Sequence, residues 1–165
     1  MDRTERLSLV AGYQSAIDPL VDFVSSLPVA VLDFRPALPG AWTIREHAVH
    51  LLDADTFGYA RIRWAVTQPG VEVPVWDQEL WQARAKYETA DAMSSLETAR
   101  ALRRVVSAMA RALVDADWET YTIRHPERGR LTLADVLKIY TDHAQDHLNY
   151  FRRNLDAFKA ASTWA

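Results

Sequence analysis

The sequence predicts an all-α domain built as a four-helix bundle, and three observations carry that expectation. Apolar residues recur with the helical period through most of the 165 residues. Four of these stretches are long enough for bundle helices, and segments rich in proline and glycine separate them. No internal repeat, low-complexity tract or clear Gly-rich strand–turn pattern breaks the series.

The first helix is expected from about Thr4 to Ser26, with Leu7, Val10, Ala11, Ile17, Val21 and Val24 as its apolar stripe. Asp18-Pro19 should kink it or divide it, because proline lacks the amide donor that a helix interior needs. Pro28 to Ala41 holds Pro28, Pro36, Pro39 and Gly40 and reads as a loop. Thr43 then supplies an N-cap, and Glu46 completes a capping box for a second helix running to about Val66. Pro69-Gly70 ends that helix, and Pro74 keeps the next stretch irregular. A short helix is expected over Asp77 to Tyr87, with Trp76 and Trp81 packing as a second core layer or marking a partner surface. Asp91 opens the third long helix. Its apolar face includes Met93, Leu96, Leu102, Val106 and Leu113, and Arg100, Arg103, Arg104 and Arg111 are assigned to a largely wet face. Asp117 to Arg130 is a link, with an extended piece at Glu119 to Arg124. Thr132 and Asp135 form a second capping start for the last helix, which reaches about Phe158. The connection from about Thr67 to Ala90 is too long for a simple up-down loop, so at least one crossover is expected.

Size and composition fit one domain, residues 1–165. The formal net charge of −3, from 19 basic and 22 acidic residues, includes no dominant basic patch and argues against a nucleic-acid binder. There is no apolar run long enough to span a bilayer and no signal-peptide pattern after Met1-Asp2-Arg3, so a cytoplasmic protein without membrane partners is expected. With five histidines and no cysteine, disulfides and Cys-based zinc sites are excluded. A transition-metal site here would be built from imidazole and carboxylate.

The last helix carries the chemistry. Val136, Tyr140, His143, His147 and Tyr150 succeed one another at spacings of four, three, four and three, the pattern of a seam facing partner helices. A purely apolar stripe of Leu133, Leu137, Ala144, Leu148, Phe151 and Leu155 runs beside it, so both histidines fall at the edge of the buried face. On the second helix His50 offers a third imidazole. Three such rings can converge on one divalent cation and leave a position open for water or substrate. A histidine on a half-buried face is more often simply packed, but two side by side in an apolar setting are costly unless something satisfies their nitrogens. His47 is expected to be exposed or near the start of its helix, and is a weaker ligand candidate because it shares a face with His50 only loosely. Asp53 would orient an imidazole or be a solvated charge, Asp142 and Asp146 are surface carboxylates, and His125 is an exposed loop residue. Di-iron bundles need Glu three residues before His, which occurs nowhere here, and Glu46-His47-Ala48-Val49-His50 has the wrong order for a zincin.

The segments Trp42-Thr43-Ile44-Arg45-Glu46-His47-Ala48-Val49-His50-Leu51-Leu52-Asp53 and His143-Ala144-Gln145-Asp146-His147-Leu148 resemble the DinB / YfiT-like superfamily of metal-dependent hydrolases and thiol transferases. Val75-Trp76-Asp77-Gln78-Glu79-Leu80-Trp81 and Gly129-Arg130-Leu131-Thr132-Leu133 are similar too, and the order of the four pieces spans nearly the whole chain. The resemblance implies an up-down-down-up bundle with a short extra helix in the second-to-third connection, and a homodimer. It implies a divalent metal, nickel or zinc ahead of iron or manganese, held by His50, His143 and His147. It further implies a small-molecule substrate, with a low-molecular-weight thiol as co-substrate. The positions around His143 and His147 lack the further histidine of some members. Two functions are expected on this basis. One is an enzyme that activates a small thiol, or water for hydrolysis; Arg61 and Arg63, which follow His50 on the second helix, could meet an anionic thiol or substrate, although an arginine in such a place is more often a surface or salt-bridging residue. The other is a non-catalytic dimeric bundle serving a stress response. The residues that would act chemically beyond the metal ligands are not assigned by the sequence.

Overall fold

The computed structural model describes residues 1–162; residues 163–165 of the expected domain lie outside the described residues. Its elements are α1 (Arg3–Ser15), α2 (Asp18–Ser25), α3 (Val29–Leu32), α4 (Ile44–Thr67), β1 (Val71–Glu72), α5 (Gln78–Arg84), α6 (Ala92–Ala112), β2 (Thr122–His125), β3 (Gly129–Thr132) and α7 (Leu133–Ser162). A single 3₁₀ turn, Tyr87–Thr89, lies between α5 and α6. The bundle is formed by the α1–α2 pair with α4, α6 and α7.

Each long helix begins where its sequence supplies a cap. Asp2 and Glu5 form a capping box at α1, and Thr43 and Glu46 form one at α4. Asp91 caps α6 by accepting from the Ser94 amide. At the start of α7 the Thr132 hydroxyl accepts from the Asp135 amide, and the Asp135 carboxylate accepts from the Thr132 amide. Pro19 divides the first expected helix in two, seated in the first turn of α2 where no amide donor is missed.

The core has two parts. Ile17, Leu20, Leu51, Leu96, Leu148 and Phe151 anchor one. Val10, Ile62, Val106, Trp118, Ile123 and Leu137 anchor the other. Burial of this apolar surface is the main stabilising term, at about 25 cal/mol per Å².

Three departures from the sequence reading are physical. Val29–Leu32 forms one helical turn inside the expected loop, after Pro28 at its cap. A small sheet of order β1-β2-β3 occupies the links, β1 parallel and β3 antiparallel to β2; the extended piece expected at Glu119 to Arg124 overlaps β2, and the pairing with β1 and β3 is the departure. Its strands have only two to four residues, too short for a period-2 pattern to stand out. Arg103, assigned to the wet face of its helix, is fully buried. It donates from Nε to Asp55 Oδ2 at 2.8 Å, and from its two terminal nitrogens to the carbonyls of Tyr13 and Tyr140 at 3.1 and 3.0 Å. A guanidinium reads as a surface group by composition, and only the Asp55 it meets from α4 reveals otherwise. Among the described residues no helix is long and apolar enough to cross a membrane.

Candidate metal centre

The start of α4 is buried around nearly its whole circumference, from Ile44 through Leu51. Thr43 and Glu46 fix where this helix begins and so where His50 points. The Glu46 side chain is buried and does more than cap. Its Oε2 accepts from the Thr43 amide at 2.7 Å, while Oε1 accepts from Arg35 at 2.5 Å and Gln82 at 2.6 Å. Burial works to raise this carboxyl, but the hydrogen bonds from Thr43 and Arg35 outweigh it and hold it below the usual range. The lead-in loop and α5 are thereby both tied to the first turn of α4.

His50 from α4 meets His143 and His147 from α7. Nε2 of His143 lies 3.1 Å from Nε2 of His50 and 3.0 Å from Nε2 of His147. The three form a group that could hold a metal ion, with ligand atoms all within 4.8 Å of one another. Imidazole donors bound at about 2.0–2.1 Å to one first-row cation stand roughly 3.0–3.4 Å apart, so these separations suit such a shell.

Protonation fits as well. Burial lowers His50 to about 3, with repulsion from His143 and His47 adding to it. Burial also lowers His143 to about 4, and it drives His147 well below its ordinary value. All three are therefore neutral near pH 7, the form that ligates. A ring nitrogen of a neutral imidazole carries either a proton or an in-plane lone pair. Three converging Nε2 atoms cannot all satisfy one another by hydrogen bonding, whereas one cation takes all three lone pairs.

The remaining ring nitrogens are unusual. Nδ1 of His50 and Nδ1 of His147 are buried and have no protein partner among the described residues. Histidine ligands ordinarily donate this second N–H to an acceptor that fixes the ring. Here aromatic packing orients the rings. His50 stacks on Trp76 at 5.3 Å and meets Trp42 edge-on at 5.2 Å. His147 is flanked by His47 and Tyr150. Asp53 does not orient an imidazole; its carboxylate accepts instead from the Tyr87 hydroxyl.

Two sequence expectations are corrected. His47 is not exposed: it is buried between Trp42, His147 and Tyr150, with neither ring nitrogen partnered, and burial lowers it to about 3. It went unseen because its burial comes from Tyr150 and Trp42, which approach from outside its own helix. His125 is buried as well, because its loop is β2 of the small sheet, and Nδ1 accepts from the Glu127 amide at 3.3 Å. Asp142 and Asp146 are exposed, as expected. Trp76, half-buried, belongs to the site wall, while Trp81 packs edge-on against it and is 38 % exposed.

Two cavities adjoin the histidine group. One, of about 630 Å³, is lined by His50 and His143 together with Trp76, Tyr140, Arg61 and His125. The other, of about 410 Å³, is lined by His50, His143 and His147 with His47, Tyr150 and Arg153.

A sequence profile of the DinB superfamily matches residues 13–151. The chain belongs to the DinB superfamily. Among its relatives, a protein of Oceanobacillus iheyensis is 29% identical over 66% of this chain and 62% of its own length. YfiT of Bacillus subtilis is 26% identical over 68% of this chain and 64% of its own. The matched stretch thus spans a little under two thirds of either relative, and both carry provisional names as metal-dependent hydrolases. The solved structure of B. subtilis YfiT, described as having an unusual four-helix bundle topology, superposes with a TM-score of 0.86. It covers 96% of this chain and 90% of its own at 22% identity, which establishes the shared fold. The all-α DinB/YfiT-type bundle expected from the sequence is the observed one.

Proposed function

We propose that this DinB-superfamily protein binds one divalent metal ion through Nε2 of His50, His143 and His147 and acts as a metal-dependent enzyme on a small molecule. The observation that carries the reading is the convergence of three neutral Nε2 atoms on one another, His143 at 3.1 Å from His50 and 3.0 Å from His147, with no other protein partner for them among the described residues. When bound, such an ion supplies Lewis-acid activation of water or of a thiol. The chain's own residues do the rest. Trp42 and Trp76 hold the His50 ring, and His47 and Tyr150 flank that of His147, so the three donors stay convergent. The two cavities give small molecules access to that point.

Hydrolysis is the reaction supported by the names of the relatives. Thiol transfer is a second reading, favoured by one observation: His50 and His143 line both of the neighbouring cavities, which suits a reaction with two substrates. Nickel or zinc is the proposed ion, ahead of iron or manganese, and a homodimer is the proposed assembly.

The test uses untagged protein, because a polyhistidine tag would itself bind metal. Elemental analysis should find about one ion per chain. The loaded protein is then assayed with ester and amide panels, and with low-molecular-weight thiols plus chlorodinitrobenzene. Turnover of the panels without thiol supports hydrolysis, and thiol-dependent turnover supports transfer. If neither assay exceeds the chelated protein, the enzyme reading fails.

A further inference from the structure

We propose that the larger cavity is built for a small molecule carrying a carboxylate, with Arg61 anchoring that group and His50 and His143 of the histidine trio facing the other end. This rests on the proposed function in so far as the trio marks the reacting end.

Arg61 is fixed in place, yet without a counter-charge. Its guanidinium donates to the Tyr140 hydroxyl at 3.1 Å and to the Pro74 carbonyl at 2.8 Å, and lies 5.7 Å from the Phe57 ring centre. All three neighbours are neutral, and no carboxylate pairs with it among the described residues. Two terminal N–H groups remain after these bonds, and a planar fork of this kind matches a carboxylate. Arg103, Arg45 and Arg100 are by contrast neutralised, by Asp55, Asp33 and Glu97. Arg6 also donates only to backbone carbonyls, those of Val114 and Ala116, but lines neither cavity.

The cavity is lined by this fork together with two of the trio, His50 and His143. Arg61 lies eleven residues beyond His50 on α4. That is about three turns, so the two share a face about 16 Å apart along the axis. Tyr140 bridges them, its ring 6.5 Å from that of His143 and its hydroxyl on Arg61. His125 lines the same cavity. Its Nδ1 accepts from the Glu127 amide, so the favoured tautomer carries the proton on Nε2 and can donate. A volume of about 630 Å³ lies within the usual range of small-molecule sites, about 300–1,000 Å³. Trp76, Val136 and Ile139 supply apolar wall between the two ends.

Acidic residues also line this cavity, but all are exposed. Asp77 caps α5, and Asp142 pairs with Lys138. Glu127 and Asp146 are solvated at the rim. The half-buried charge of the cavity is therefore the guanidinium.

The experiment measures binding of 3-phenylpropionate, its neutral amide and phenyl phosphate to untagged full-length protein, by calorimetry and tryptophan fluorescence. It is run on chelated protein and again after zinc loading. We expect the carboxylate to bind chelated protein at least about tenfold tighter than the amide. Arg61→Gln should erase the preference over the amide, and Arg61→Lys should keep part of it. Both variants should retain native melting temperature and zinc stoichiometry. Equal carboxylate affinity in native and Arg61→Gln protein overturns the proposal. So does native protein that ignores the carboxylate, fails to distinguish it from the amide, or prefers the phosphate. Because the chelated arm needs no metal, loss of zinc binding would count against the metal reading alone.

Discussion

Two buried polar clusters share α4 and α7, and they are completed in opposite ways. Around Arg103 every guanidinium nitrogen has a partner from the chain itself, on α1, α4 and α7. Around His50, His143 and His147 the ring nitrogens crowd one another or have no partner. Burial of a polar group is costly unless it is paired, so the Arg103 guanidinium is satisfied within the chain, Asp55 Oδ1 beside it being left without a partner, while the histidine group on the proposed reading is completed by a metal ion. The difference separates a device that fixes the bundle from one that binds.

The largest expected effect breaks the Arg103 cluster. Asp55→Ala strands the Arg103 charge in the core and should cost about 3–5 kcal/mol in denaturant unfolding. His143→Ala should leave stability nearly unchanged while removing metal. Equal losses for the two variants would erase the contrast.

Acid should act on the other cluster. His47, His50, His143 and His147 all have folded pKa values below the ordinary 6.5, at about 3 for His47 and His50 and about 4 for His143. The unfolded chain therefore binds more protons between about pH 6.5 and those values, and stability falls as pH drops through that window. The slope is about 1.4 kcal/mol per pH unit for each histidine fully protonated only in the unfolded state. Unfolding midpoints from pH 7 to 5 should fall steeply for the native chain and less so for His47→Gln/His143→Gln. A slope unchanged by the double substitution would mean other groups govern acid sensitivity.

Thr43→Ala removes the cap that aims His50 and should cost about 1 kcal/mol, readable as a lower denaturation midpoint. Gly58→Ala is the smallest. Its Cβ would lie 2.9 Å from the Tyr140 ring, so that ring must shift and carry the Arg61 bond with it. The packing penalty is about 1–3 kcal/mol, and the helix-propensity gain of about 1 kcal/mol offsets part of it. Its effect on carboxylate binding should exceed its effect on stability.

Much of this was legible in the amino-acid sequence where the signal is local. The capping pair Thr43 and Glu46, the break at Pro19 and the seam through His143 and His147 depend on residues within a few positions of one another. His47 and Arg103 were misplaced for the opposite reason, since they meet residues distant in sequence, Tyr150 and Asp55. His125 was misplaced because it lies on a strand too short to show in the sequence, paired with Gly129 of β3. The stacking of Trp76 on His50 also escapes a sequence reading, because the long connection after α4 must fold back before the two rings meet. Local patterns locate the histidine donors, and long-range packing decides what surrounds them.

The most direct test of the central claim is a zinc titration of untagged, chelated protein, run in parallel on His50→Ala, His143→Ala and His147→Ala. The account predicts one ion per native chain, with each substitution weakening affinity at least about a hundredfold while the helical content stays native. Zinc bound equally well by all four proteins would contradict it.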